Sequence, residues 1–122
     1  MLDTWLPDAV LQNIASENNL SETAFLVKQD SYYDLRWFTP SIEVDLCGHA
    51  TIASAFVLFE DAERTASEIK FKTGSGFMAV NKENNLLYLD FPSRPTVPCP
   101  MYKNFEKVFG VRPAAAFKSG SI

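Results

Sequence analysis

From Asp8 to about Asn19, polar and apolar residues recur at helical spacing, with Val10, Ile14 and Ala15 forming an apolar stripe on one face. Pro7 and Asp8 suit a first turn, and Asn18-Asn19 supplies a residue that tolerates the left-handed conformation of a helix end. Ala24 to Val27 is a short apolar run that predicts a buried strand. Asp34 to Thr39 alternates as a second strand, closed by Pro40. The run Ile52 to Phe59, preceded by Ala50 and Thr51, is different. It is apolar on every side, which predicts a helix buried all round rather than one laid on a surface. Its small residues, Ala50, Ala53, Ser54 and Ala55, let other backbone approach closely.

Three further stretches read as strands: Ser67 to Thr73, Phe77 to Lys82 and Leu86 to Phe91. Gly74-Ser75-Gly76 and Asn84-Asn85 separate them, so they predict an antiparallel meander. Pro92 to Pro100 holds four prolines and predicts an extended connector. Lys103 to Phe109 predicts a short helix stopped by Gly110, and Ala115 to Lys118 the start of another strand. Strands gathered around one apolar helix give an α+β packing.

Bulk properties narrow the function. A length of 122 residues suits one compact domain and not two. Hydrophobic residues at 47% and charged residues at 21% describe an ordinary globular chain, neither disordered nor disulfide-stapled. A net charge of -4 without a basic stripe argues against a nucleic-acid partner. No apolar run approaches the roughly 20 residues needed to cross a bilayer. Met1 to Asp8 lacks the charged and apolar regions of a signal peptide. Cys47 and Cys99, far apart and unlike in context, read as reduced thiols in a cytoplasmic protein. A single histidine and no paired cysteine spacing argue against a Cys/His metal site.

Two stretches carry candidate chemistry. In Ser21-Glu22-Thr23-Ala24-Phe25 a carboxylate sits at the mouth of an apolar strand. It is either a solvated turn residue or a general base tuned by partial burial. Asp45-Leu46-Cys47-Gly48-His49-Ala50 leads straight into the apolar helix. The first turn of a helix has unpartnered N–H groups and the positive end of the dipole, so opening into a cavity it would hold a carboxylate or phosphate. Gly48 allows close approach to backbone, and His49 adds an imidazole. Cys47 reads as a nucleophile or an acid/base thiol, because a helix N-terminus lowers a thiol pKa. Ser21, Gly48 and Ala50 are the positions expected to touch substrate. Chemistry alone leaves two readings open: such a site, or a capped core helix with a buried cysteine and a satisfied histidine. Gly74-Ser75-Gly76 is too short for a phosphate loop and reads as a hairpin turn.

Together these residues resemble the PhzF-type family of phenazine-biosynthesis-like isomerases. The resemblance rests on Trp5-Leu6-Pro7-Asp8, Glu17-Asn18-Asn19-Leu20-Ser21-Glu22-Thr23-Ala24-Phe25 and Arg36-Trp37-Phe38-Thr39-Pro40. It continues through Glu43-Val44-Asp45-Leu46-Cys47-Gly48-His49-Ala50-Thr51, Thr73-Gly74-Ser75-Gly76 and Leu89-Asp90-Phe91-Pro92. It implies a diaminopimelate epimerase-like half-domain, in which a barrel-like sheet wraps one central helix, and a cleft between two such halves. It also implies a cofactor-free, metal-free isomerase acting by proton transfer on a small carboxylate-bearing metabolite. Glu22 would then be the acid/base, with Gly48 and His49 beside it, and Cys47 where the related epimerases place one of a cysteine pair. The family's homodimers imply a dimer. The family also begins with a strand and an Asn-Pro-Ala segment, and continues into a second half. This chain starts at the helix and stops at Ile122, so residues 1–122 are expected to be one N-terminal domain without its first strand or second half. It is expected to be inert alone and self-associated. Two classes of function follow: an isomerase completed by other polypeptide, or a non-catalytic half-domain that acts by association.

Overall fold

Phe25, Leu26 and Val27 are all buried because the strand that carries them is covered on both faces. The computed structural model describes residues 1–91 and 93–119. Pro92, the first proline of the expected connector, and the chain end at Ile122 lie outside the described residues. Helix α1 (Asp8–Asn18) is followed by strands β1 (Thr23–Lys28), β2 (Tyr33–Phe38) and β3 (Glu43–Val44), then helix α2 (Gly48–Glu60). The meander β4 (Glu68–Thr73), β5 (Gly76–Glu83) and β6 (Leu86–Leu89) comes next. The last elements are β7 (Thr96–Pro98), α3 (Phe105–Phe109) and β8 (Phe117–Ser119). Met1–Phe91 forms one unit, and the residues after it form a second.

In the first unit the sheet runs β1-β2-β4-β5-β6, with β3 paired to β2. All pairings are antiparallel except β2 with β4, which are parallel (Tyr33↔Phe71). A parallel neighbour needs a crossover, and α2 lies in the connection between them. Period-2 alternation divides the strands between two cores. Tyr33, Leu35, Trp37, Ile69, Phe71, Met78 and Val80 join Leu58 and Phe59 of α2 in the larger core. Phe25 and Phe38, in edge-to-face contact, meet Leu11 and Ala15 of α1 in the smaller. The outer edge of β1 carries, among the described residues, one isolated parallel bridge, in which the Leu2 N–H donates to the Leu26 carbonyl at 2.8 Å.

Two expectations are corrected here. The stripe on α1 is Leu11 and Ala15, with Val10 and Ile14 exposed. Both choices satisfy helical spacing, and only the position of β1 and β2 selects between them. On α2, the face bearing Ala50, Thr51, Ser54, Ala55, Leu58 and Phe59 is buried, whereas Phe56 and Val57 are 56% and 62% exposed. The helix packs Leu58 and Phe59 into the larger core and approaches β1 and β6, at the two ends of the sheet path, while the side bearing Phe56 and Val57 is exposed. The turns fall as expected. Asn19 caps α1 at φ 50° and Gly110 caps α3 at φ 71°. In the second unit the proline-rich stretch is paired, β7 antiparallel to β8. Among the described residues, no helix is long and apolar enough to cross a membrane.

Candidate active site

Strand β1 lies beside α2 and runs in the same sense. The residues that enter β1 therefore meet the residues that open α2. Glu22 immediately precedes β1, Cys47 is the N-cap of α2, and Gly48, His49 and Ala50 are its first turn. Glu22 Oε2 lies 3.0 Å from His49 Nε2. That oxygen is fully buried and has no hydrogen-bond partner, so the close contact is not aligned as a bond. Ser21 Oγ is 3.4 Å from the same ring nitrogen, and Cys47 Sγ is 3.7 Å from His49 Nδ1. The six positions singled out in the sequence thus converge from two elements.

Four of them, Ser21, Glu22, His49 and Ala50, line a cavity of about 440 Å³, whose other walls are Leu20, Ala24, Leu26, Ala53, Ser54 and Val57; Cys47 and Gly48 lie outside it. The wall is mostly apolar, and the carboxylate is its anionic member. The two helix hydroxyls spend their donor protons within the helix, although Ser54 lines the cavity. Thr51 Oγ1 donates to the Cys47 carbonyl at 2.5 Å and Ser54 Oγ to the Ala50 carbonyl at 2.7 Å, which satisfies both inside the helix. No side chain caps α2 by a hydrogen bond, and no acidic residue occupies its first turn. Apart from the Ala50 N–H, which faces the Cys47 sulfur, its first-turn N–H groups and positive dipole end therefore remain available to an anion.

Two candidate residues behave differently from their sequence reading. Burial pushes the Cys47 thiol up from its ordinary range, and the Glu22 carboxylate adds to this, while the Ala50 N–H opposes both. Burial thus works against the thiolate that a helix terminus favours. At Gly48 the space is not open to a ligand. A Cβ there would lie 2.9 Å from Phe91 Cε2 and 3.1 Å from Cζ, so the glycine accommodates the Phe91 ring. Phe91 is the site neighbour that sequence reasoning did not reach, because nothing local to either residue signals their contact. The Gly74-Ser75-Gly76 turn also does more than reverse the chain. Ser75 Oγ donates to the Asp45 carbonyl at 2.8 Å, which ties the β4–β5 turn to the loop that delivers Cys47.

Comparison with known proteins places these residues in context. The family model described as phenazine biosynthesis-like protein matches residues 3–108. An uncharacterised isomerase of Pseudomonas aeruginosa is 47% identical over 118 residues, 97% of this chain and 46% of that protein. The phenazine biosynthesis-like domain-containing protein 2 of Mus musculus is 46% identical over 106 residues, 80% of this chain and 37% of that protein. The crystal structure of a PhzF-family protein from Enterococcus faecalis superposes with a TM-score of 0.83 at 49% identity, over 95% of this chain and 45% of that one. A predicted epimerase from Pseudomonas aeruginosa, at 18% identity and a TM-score of 0.62, shares the fold. The chain spans less than half the length of these curated relatives.

Proposed function

The chain belongs to the phenazine biosynthesis-like (PhzC-PhzF) family, and on that premise we propose that it serves cofactor-independent, isomerase-type proton transfer on a small carboxylate-bearing metabolite. The observation that carries this reading is Glu22 Oε2, a buried carboxylate oxygen without a hydrogen bond, at the mouth of an apolar cavity. The substrate carboxylate docks on the first turn of α2 beside His49, where no acidic residue stands. Glu22 takes a proton from a substrate C–H, the electron pair moves into the adjoining unsaturated system, and Glu22 returns the proton to another carbon. His49 flanks the Glu22 carboxylate at 3.0 Å, and Ser21 Oγ lies 3.4 Å from the same imidazole nitrogen. Cys47, protonated beneath it, supplies no charge that would compete with the bound anion. The family resemblance implies a cleft between two similar halves, of which residues 1–122 would supply one wall. The two free cysteines suit a cytoplasmic setting.

The test uses a full-length relative. Glu→Gln at the position matching Glu22 is expected to abolish deuterium uptake from solvent into a panel of small unsaturated carboxylates. Binding of those carboxylates, followed by calorimetry, should persist. Normal uptake in that variant would overturn the assignment.

A second reading is favoured by the open side of α2. Phe56 and Val57 are more than half exposed on a helix otherwise built for a core. A second copy of the chain covering that side would make a homodimer, acting by association rather than catalysis. Sedimentation over a dilution series is expected to show a dimer that Val57→Lys dissociates. A wild-type chain that stays monomeric at high micromolar concentration ends this reading.

A further inference from the structure

We propose that Glu22, Cys47 and His49 form a binding site for a borderline-soft divalent cation, Zn²⁺ above all, with water as the fourth ligand. Each residue offers one ligand atom, and the three atoms lie within 4.8 Å of one another. In a tetrahedral zinc site, bonds of roughly 2.0–2.3 Å put neighbouring ligand atoms about 3.3–3.8 Å apart. Cys47 Sγ and His49 Nδ1, at 3.7 Å, already stand at that separation. The remaining adjustment falls on Glu22, which must swing from the Nε2 side of the ring to the Nδ1 side. Its Oε2 surrenders no hydrogen bond in doing so, because it makes none. His49 keeps Nδ1 toward Cys47 while Glu22 moves.

The donor set also fits in charge and softness. A thiolate and a carboxylate neutralise a dication, so a partly buried site holds no net charge. Sulfur and imidazole nitrogen favour zinc over magnesium or calcium, which prefer all-oxygen ligands. On binding, the Sγ–H bond of Cys47 breaks, an Sγ–Zn bond forms and the proton leaves to buffer. The sequence argument against a metal site considered only spacings among cysteine and histidine. The fold adds a third ligand from a separate element, ahead of β1, which no local motif records. If the isomerase reading holds, zinc would occupy the lone pair of the catalytic base and act as an inhibitor. The binding itself does not depend on that reading.

The experiment is titration of the 122-residue chain with Zn²⁺ by calorimetry and with Co²⁺ by absorption, with Mg²⁺ as control. One equivalent of Zn²⁺ is expected to bind with proton release, and Co²⁺ to develop a thiolate-to-cobalt charge-transfer band. Cys47→Ser should lose the band, and His49→Ala and Glu22→Gln should each weaken Zn²⁺ binding by about tenfold or more. Cys99→Ser should keep both signals, and Mg²⁺ should not bind. Far-UV circular dichroism confirms that each variant is folded, and His49, being exposed, can be replaced without touching the core. A wild-type chain without the cobalt band, a band that follows Cys99, or zinc affinity that survives the His49 and Glu22 substitutions overturns the site. Failure here leaves deuterium uptake untouched, so the two readings fall separately.

Discussion

Glu22 and Glu63 stand at opposite ends of the same two neighbours, β1 and α2, in opposite circumstances. Glu63 Oε1 accepts from the Tyr33 hydroxyl at 2.7 Å and from Lys28 Nζ at 2.9 Å. Those two donors, Tyr33 first, hold its carboxyl below the usual range. The hollow around it is small, about 230 Å³, and lined by Lys28, Asp30, Glu68 and Lys70 among others. Glu22 has an oxygen that nothing donates to, an imidazole beside it and an apolar cavity in front of it. A carboxylate saturated with donors is a strut. One kept buried without them is a group held ready for something else, since an unmatched buried oxygen costs stability that folding alone does not need.

The largest expected difference between the ends is in turnover. In a full-length relative that carries both carboxylates, Glu→Gln at the position matching Glu22 should lower the rate of deuterium uptake by about 10²–10⁴-fold. Glu→Gln at the position matching Glu63 should leave that rate essentially unchanged. Equal losses at the two positions would mean that the distinction drawn here is not a functional one.

Stability should show the reverse order, on a smaller scale. Tyr33→Phe removes a 2.7 Å donor but leaves Glu63 its lysine, and should cost about 1 kcal/mol in urea denaturation. Glu22→Gln in the same chain should leave the midpoint unchanged or raise it, because it replaces a buried oxygen that makes no hydrogen bond. A Glu22→Gln chain less stable than Tyr33→Phe would show that Glu22 is a structural group after all.

How far the sequence reached follows the same division. Each predicted strand exists, because period-2 alternation and turn residues are local signals. So is the left-handed cap at Asn19. The Glu22 and Cys47-Gly48-His49 stretches were visible as chemistry, since charged and titratable residues beside apolar runs stand out. What was illegible depends on which surfaces meet. The choice of Leu11 over Val10, the open side bearing Phe56 and Val57, and the Phe91 ring against Gly48 are set by elements distant in sequence. The Cys47 thiol is the clearest case: the helix terminus argued for a lowered pKa, but burial and Glu22, known only from the fold, reverse it.

Gly48→Ala tests the packing at the open end, with a smaller net effect. The added Cβ would press on the Phe91 ring at 2.9 Å, which costs about 1–3 kcal/mol if the ring cannot move. Alanine in place of glycine in a helix returns about 1 kcal/mol. Phe91 is 38% exposed and so can yield, which keeps the net loss in urea below about 1 kcal/mol. Gly48→Ala combined with Phe91→Ala should be more stable than Phe91→Ala alone, because only the helix gain remains. If the double variant is the weaker one, something other than Phe91 requires the glycine.

The smallest effects are in pH, where the two ends should weaken on opposite sides of neutrality. Glu63 has a folded pKa below its ordinary 4.5, so its contribution is present above 4.5 and is lost as pH falls through the lowered value. Cys47 has a folded pKa above its ordinary 9.0. Past pH 9.0 the unfolded chain releases the thiol proton first, so stability present below that point is lost as pH rises toward the folded value. The gap in urea midpoint between wild type and Glu63→Gln should therefore narrow below pH 4.5, hold through neutrality, and change again only above pH 10.0, where Tyr33, raised by burial and by Glu63, and Lys28, raised by Glu63, lose their protons. The gap between wild type and Cys47→Ala should narrow above pH 9.0 and stay constant in acid. Glu63 keeps 29% of its side chain exposed and its partner Lys28 56%, so solvent screening keeps its limb shallow and salt should flatten it further. Cys47 is buried, and its limb should resist salt. An alkaline limb that salt erases would place the thiol in contact with solvent and remove the physical basis for treating the two ends as different environments.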